Sequence, residues 1–472
     1  MPSAPTSLSH RLDGFFQIST RGSSFGREIR GGVVTFFTMA YILVLNPIIL
    51  GGAEDVNGDR LSFPQLVTVT AAVAALMTVL MGLTANVPLA LAAGLGINAV
   101  VAYQIAPRMS WPDAMGLVVI EGLILCVLSG TGLREAVMNA IPAALKQAIG
   151  VGIGLFIALI GFVDAGFTVG AEGSPPLNLG GTGELHGWPV LVFVVGLLLT
   201  LALLARRVRG AILVSIVLTT LLALVINAVA EVPDGAWGLT VPEFPDDLVA
   251  TPDFGLVGQF SLFGAFGEVS AITVVLTVFT LFLTDFFDTM GTAVAVSGEA
   301  GLLDEKGRVP RLGRLLFVDG LAAAVGGAAS GSSNTSYVES AAGVGEGART
   351  GLANVVTGAL FALALFFAPL AAVVPSQAAA PALVAVGFLM MGQVSQIDWS
   401  DQAIAIPAFL TIAVMPFTYS ITNGIGAGFI SYVLLKVVLG RARELNWLLW
   451  GTAALFVVYF AIDPVEQLFG VS

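Results

Sequence analysis

Apolar runs close to the length of a membrane crossing, separated by short polar loops, recur from one end of this chain to the other. A helix needs roughly 20 consecutive apolar residues to cross the hydrocarbon core of a bilayer. Charged residues make up only 11% of the 472 positions, against about 25% in soluble domains, and mean hydropathy is +0.94. A soluble fold could not cover its exterior with so few polar groups. The fold class is therefore an all-α polytopic membrane protein. The 56 glycines fit this class, because small residues let membrane helices approach closely.

The apolar runs cover 31–50, 64–83, 113–129, 142–162, 189–205, 211–230, 271–296, 315–329, 352–373, 381–391, 404–415, 421–439 and 447–462. Two further stretches, 86–105 and 332–345, are apolar but broken by Gly, Ser, Asn and Thr. Together they imply about fourteen transmembrane segments, with the count open by one after residue 381. Arg27 and Arg30, Arg206 to Arg209, Lys306 to Arg314, Arg349, and Lys436 to Arg443 mark one side. The positive-inside rule makes that side the cytoplasm, with the N-terminus on it. The first 25 residues lack an apolar core before a cleavage site and read as a cytoplasmic tail, not a signal peptide. The localisation expected is the plasma (inner) membrane.

Residues 231–266 hold six carboxylates and no Lys or Arg, and they divide the chain nearly in half. Seven spans, an external loop and seven more place the second half upside down relative to the first. Thr35-Phe-Phe-Thr-Met39 is similar to Thr280-Leu-Phe-Leu-Thr284, and the broken stretches fall third and tenth. Inverted repeats with interrupted helices at matching positions point to a transport site. Short extended runs are expected inside both broken spans, where backbone N–H groups can line a cavity.

Composition also excludes. Cys126 is the single cysteine, and His10 and His186 both lie outside the apolar runs. No disulfide, no intramembrane His relay, and no catalytic or cofactor motif is present, so an enzyme, a metal and a cofactor are not expected. A net charge of −12 argues against nucleic acid.

Against this background three acids stand out: Asp285 and Asp288 in Thr284-Asp-Phe-Phe-Asp-Thr-Met-Gly-Thr292, and Glu339 in Asn334-Thr-Ser-Tyr-Val-Glu-Ser340. Ionisable groups at membrane depth are costly and by default functional. Asp285 and Asp288 are three apart and share a helix face. Two carboxylates so close cannot easily both be charged, so one is suited to carry a proton. Glu339 can accept hydrogen bonds from the N–H groups of a heterocycle. Phe36, Phe37, Phe286 and Phe287 read first as packing or lipid-facing residues and second as stacking platforms. No Arg or Lys is evident mid-span as a partner for the acids. Glu121, without a polar neighbourhood in sequence, reads as structural; Asp319 reads equally as structural or functional. Asn46-Pro47 reads as a helix end or kink.

At these motifs the chain resembles the nucleobase–cation symporters, in particular their AzgA-like purine permease branch. The matching text is Gly26-Arg-Glu-Ile-Arg-Gly-Gly, Thr38-Met-Ala-Tyr-Ile-Leu, Ala93-Gly-Leu-Gly-Ile-Asn-Ala, Asp285-Phe-Phe-Asp-Thr-Met-Gly-Thr and Thr335-Ser-Tyr-Val-Glu-Ser-Ala-Ala-Gly-Val. Gly347-Ala-Arg-Thr-Gly and Met415-Pro-Phe-Thr-Tyr-Ser-Ile extend it. The resemblance implies two inverted seven-span repeats and proton-coupled import of hypoxanthine, guanine or adenine by an elevator movement. It implies a core domain (26–132 and 267–374) and a gate domain (133–231 and 375–472) that supports a homodimer, joined by an extracellular linker (232–266). Substrate-binding residues carried over are Asp285, Glu339, Gly96, Asn98, Asn334 and Thr335, with Asp288 and Asp319 in proton coupling. Uracil, xanthine or an anion on the same architecture is the alternative cargo.

Overall fold

The computed structural model describes residues 8–131, 141–170, 177–180, 183–230, 232–233, 235–238, 240–304 and 308–469. Lys306, Glu231 and the boundary at 132/133 lie outside the described residues. The first half contains helices α1 (Phe25–Met39), α2 (Ile42–Gly52) and α3 (Phe63–Thr84), then strand β1 (Leu91–Ala93) leading into the short helix α4 (Leu95–Val100). It continues with α5 (Trp111–Thr131), α6 (Ala143–Asp164), a hairpin of β2 (Thr168–Gly170) and β3 (Leu177–Leu179), α7 (Trp188–Ala205) and α8 (Ala211–Val229). The second half contains α9 (Ala271–Glu299), α10 (Leu312–Ala328), strand β4 (Asn334–Ser336) leading into α11 (Ser340–Gly345), and α12 (Gly351–Ala364). It closes with α13 (Ser376–Met391), α14 (Gln402–Phe417), α15 (Ile421–Val438) and α16 (Trp447–Phe469). Among the described residues ten helices are long and apolar enough to cross a membrane, and two shorter apolar helices accompany them.

Both broken stretches contain the short extended run expected of them. β1 and β4 pair antiparallel, with Leu91 opposite Ser336, Ala92 opposite Thr335 and Ala93 opposite Asn334. Two three-residue strands cannot satisfy their own flanks, and an unpaired buried backbone group costs about 1–3 kcal/mol. Side chains from neighbouring helices supply the missing partners. Asn354 Nδ2 donates to the carbonyls of Val87 (3.0 Å) and Leu89 (2.8 Å). The Thr78 hydroxyl donates to Leu91 O and accepts from Leu91 N, both at 2.9 Å. Tyr337 Oη donates to Ala93 O at 2.6 Å, and Ala90 N donates to Ser340 Oγ at 3.0 Å. A Cβ on Gly94 would stand 2.8 Å from Thr335 Cγ2, so this close crossing of the chains needs glycine.

Elsewhere the structure redraws particular elements. The first span is interrupted at Ala40–Tyr41, where Leu43 N and Val44 N bond three residues back instead of four. Asn46-Pro47 neither ends nor precedes the break: Pro47 sits inside α2, and Asn46 Nδ2 is held by Thr70 Oγ1 (2.7 Å) and Gly331 O (3.2 Å). The run expected from Pro381 begins at Ser376, with Pro381 tolerated in the first turns of α13. α5 and α10 are the most intimately packed pair of helices. A Cβ on Gly122 would run into Ala324 N and Gly320 O.

Basic residues from distant loops converge at one end of the molecule. Arg30 pairs with Glu346 at 2.6 Å, Arg209 pairs with the same carboxylate, and buried Glu28 accepts from Arg349 N at 2.9 Å and Thr350 N at 3.3 Å.

Asn354→Ala removes the donor to two buried carbonyls beside β1. It is expected to destabilise the protein by about 2–6 kcal/mol, at 1–3 kcal/mol per orphaned carbonyl, read as a lowered melting temperature in detergent.

Candidate substrate cavity

β1–α4 and β4–α11 bring their first turns together at the middle of the molecule, and α9 crosses beside them. Facing these elements are the apolar sides of α6 (Ile149, Ile153, Ile157) and α13 (Val386, Leu389, Met390). Between them lies a cavity of about 950 Å³, within the size range of sites that enclose small molecules. Its polar wall comes from Tyr41, Asp288, Thr335 and Glu339, and its backbone wall from Gly94, Leu95, Gly96 and Ile97. At one end it reaches Lys146 and the exposed pair formed by Gln147 Nε2 and Gln396 Oε1 (3.1 Å).

Glu339 is fixed by Tyr41, whose phenol donates to Glu339 Oε1. Tyr41 stands at the break between α1 and α2, which turns its ring toward β4 and Tyr337 (6.5 Å between centroids). Asp288 projects from α9 into the open space and is exposed there. The Gly94 N–H is taken by Ser333 O at 2.9 Å. Leu95, Gly96 and Ile97 line the cavity, and their N–H groups, in the first turn of α4, have no acceptor within that helix.

A second polar layer lies behind this wall. Asp285 is fully buried and accepts from Ser333 Oγ at 3.1 Å. Asp319, also buried, accepts at Oδ1 from Thr289 Oγ1 (2.7 Å) and Ser336 Oγ (2.9 Å). Thr289 and Thr335 share a hydroxyl–hydroxyl bond of 2.8 Å, which ties this layer to the cavity wall. Glu121 is fully buried on α5 and faces Asp285, with Asp319 close to both.

Of the residues singled out in the sequence, Gly96, Asp288, Thr335 and Glu339 line the cavity. Asp285, Asn98, Asn334 and Asp319 are buried and not part of its lining. Both polar atoms of the Asn98 side chain, and Asn334 Oδ1, have no hydrogen-bond partner. The reading of Glu121 as lacking polar neighbours is corrected. Its neighbours are distant in sequence, and the glycine contact of α5 with α10 brings them to it. Of the four phenylalanines, Phe287 lines the cavity, Phe286 stacks on Phe282 in the core (5.5 Å between centroids), Phe36 packs on Phe361, and Phe37 is exposed.

Sequence reading missed two cavity residues. Tyr41 stood within a matched motif without a role. Lys146 lies in the first turn of α6, within an apolar run, and its ammonium sits 5.7 Å from the centre of the Phe287 ring. A cation inside the 142–162 run was the available signal.

The profile of the Permease family (Xan_ur_permease) matches residues 26–426. The chain is 40% identical to the guanine/hypoxanthine permease PbuG of Bacillus subtilis over 455 residues, covering 94% of this chain and 98% of that protein. It is 36% identical to the adenine permease AdeP of Escherichia coli K12, covering 96% of each. Among solved structures, the transmembrane domain of the cyanobacterial bicarbonate transporter BicA superposes with a TM-score of 0.61 at 16% identity, covering 85% of this chain and 97% of that one. The murine anion transporter Slc26a9 superposes at 0.57 and 13% identity, covering 93% and 73%. These last two likenesses concern the fold. With a family match across most of its length and full-length relatives that are guanine/hypoxanthine and adenine permeases, this chain belongs to the Permease family and is a multi-pass membrane transporter, not an enzyme.

Proposed function

We propose that this permease imports purine nucleobases (hypoxanthine, guanine or adenine) together with protons. The observation that carries this reading is the cavity lining, which combines two carboxylates, Asp288 and Glu339, with the first-turn residues Leu95, Gly96 and Ile97 of α4. A purine offers N–H donors on one edge and carbonyl or ring-nitrogen acceptors on another. The acids suit the donors, and the N–H groups of Leu95 to Ile97 suit the acceptors. Thr335 adds a hydroxyl, and the Phe287 ring and the aliphatic wall of α6 and α13 suit the flat faces of the base. Among the candidates from sequence, Asp288 and Glu339 are assigned to the base, with Gly96 and Thr335. Asp285, Asn98 and Asn334 are assigned to support of that wall from behind. The anion alternative is disfavoured, because a pair of cavity-facing carboxylates would repel an anionic cargo more than the single Lys146 at one end would attract it.

The mechanism proposed is an elevator movement within fourteen spans arranged as two inverted repeats of seven. The core domain (26–132 and 267–374) carries the acids and both broken spans, and the gate domain (133–231 and 375–472) presents the apolar face across the cavity. The cavity lining supports this division: Tyr41, Asp288, Thr335 and Glu339 come from the core, and Ile149, Ile153, Ile157, Val386 and Leu389 come from the gate, together with Lys146, Gln147, Gln393 and Gln396. Helices α7 and α8 of the gate domain leave most of their apolar surface outside the protein, which supports contact with lipid and with a second copy in a homodimer. With the N-terminus cytoplasmic, the Lys146 end of the cavity is the cytoplasmic end.

Purified protein is expected to gain thermal stability with hypoxanthine, guanine or adenine and not with bicarbonate. Glu339→Gln and Asp288→Asn should each weaken purine binding by roughly tenfold or more, since a hydrogen bond to a charged group is worth about 1.5–3 kcal/mol. Purine uptake that is independent of pH and persists in both Glu339→Ala and Asp288→Ala would overturn the assignment.

Tyr41→Phe keeps the ring and removes the donor that orients Glu339. Purine affinity is expected to fall about threefold to tenfold, matching about 0.5–1.5 kcal/mol for one hydrogen bond, with uptake still dependent on protons. Titration of binding in detergent checks the first part and uptake with a protonophore the second.

A further inference from the structure

Glu121, Asp285 and Asp319 reach the same buried region from three different helices, α5, α9 and α10. All three are at most 1% exposed. The other titratable groups facing them are Asp288 on the cavity side, which itself neighbours Glu339, and the Cys126 thiol further along α5. Lys146, on α6, lines the cavity and not this layer. Around Glu121 and Asp285 the charged neighbours are thus other acids.

Hydrogen bonding within this layer is incomplete in a particular way. Asp319 Oδ1 takes two hydroxyl donors and Asp285 Oδ2 takes one. Glu121 Oε1, Glu121 Oε2 and Asp285 Oδ1 have no donor at all. Carboxylates only accept hydrogen bonds, so two facing carboxylates cannot satisfy one another. Left charged and unpaired at this depth, each would cost several kcal/mol. One proton placed on the pair turns one acid into a donor, joins Glu121 to Asp285 and removes a buried charge. Among the described residues no three His, Cys, Asp or Glu side chains converge closely enough to hold a metal ion, and a proton is the occupant that two facing carboxylates suit.

A route from the cavity to the pair also exists. Thr335 lines the cavity, its hydroxyl bonds that of Thr289 at 2.8 Å, and Thr289 donates to Asp319 at 2.7 Å beside Asp285 and Glu121. We infer that the Glu121–Asp285 pair is a proton-binding site for coupled transport, loaded from the cavity through the Thr335, Thr289 and Asp319 chain. This rests on the proton-coupled reading above. The proton enters as H⁺ from cavity water, converts the dicarboxylate pair to a carboxyl–carboxylate pair, and leaves as H⁺ on the opposite side. No bond to the base is made or broken.

The test uses full-length protein in proteoliposomes with an imposed pH gradient, reading labelled hypoxanthine and internal pH together, with hypoxanthine binding measured separately in detergent. Glu121→Gln supplies the missing donor without a titratable proton. It is expected to bind hypoxanthine within threefold of wild type and to exchange it across the membrane, but to lose proton-driven accumulation. Thr289→Val, which leaves both acids in place, is expected to slow proton entry with binding unchanged, and it is the variant read if Glu121→Gln does not fold. Wild-type proton movement in Glu121→Gln, or in Thr289→Val where that variant is the one read, overturns the inference, as does loss of hypoxanthine binding in a folded Glu121→Gln. Wild-type protein that carries hypoxanthine without moving protons overturns the coupled function itself, which separates the two failures.

Discussion

The pairing of β1 with β4 in the middle of a helical membrane protein is the contact on which the rest depends. Three residues from each broken span form an antiparallel ladder, and this is the minimum that lets the chain stop being a helix at that depth. The exposed flanks of such a ladder would be prohibitive in hydrocarbon. Asn354, Thr78, Tyr337 and Ser340 satisfy them from α3, α11, α12 and the segment after β4. Fixing the ladder fixes the first turn of α4, and with it Leu95, Gly96 and Ile97, which line the cavity. It also sets Ser333, Thr335 and Ser336 beside the buried acids and their hydroxyl partners.

Five acids in so small a volume would be untenable if they were equivalent, and the structure makes them different. Asp288 and Glu339 face open space, one exposed and the other held by Tyr41. Asp285, Asp319 and Glu121 lie behind them among hydroxyls. A cavity acid exchanges its partners with solvent and cargo. A buried acid exchanges only protons, because nothing larger can reach it. The Thr289–Thr335 bond is the narrow link between these layers.

The likeness to BicA and Slc26a9 is a likeness of fold. At 16% and 13% identity the chain path is shared, while the charge and shape of the wall are free to differ. In this chain the wall holds two carboxylates, and its one cation, Lys146, sits at the end of the cavity over Phe287. Identity of 40% to PbuG extends across nearly the whole length of both chains.

Much of this was legible in the sequence, and for identifiable reasons. Apolar runs determined the helical membrane class, since a bilayer admits few alternatives. Gly, Ser and Thr clusters at 86–105 and 332–345 located both interruptions, since such residues cannot hold a lipid-facing helix. Acids in oil located Asp288 and Glu339, because charge at that depth is too costly to be incidental. Only the tertiary structure decided which acids share a room. Asp285 and Asp288 occupy neighbouring turns on one face of α9, yet Asp288 lines the cavity and Asp285 is buried behind it, because the neighbours along that face change within one turn. Glu121 is 164 residues from Asp285 and looked solitary; the Gly122–Gly320 contact places it in the acid layer. Local sequence determined where the chain must be interrupted and where charge must be accounted for. Which charges meet was settled by helix packing between distant segments, and no local pattern encodes that.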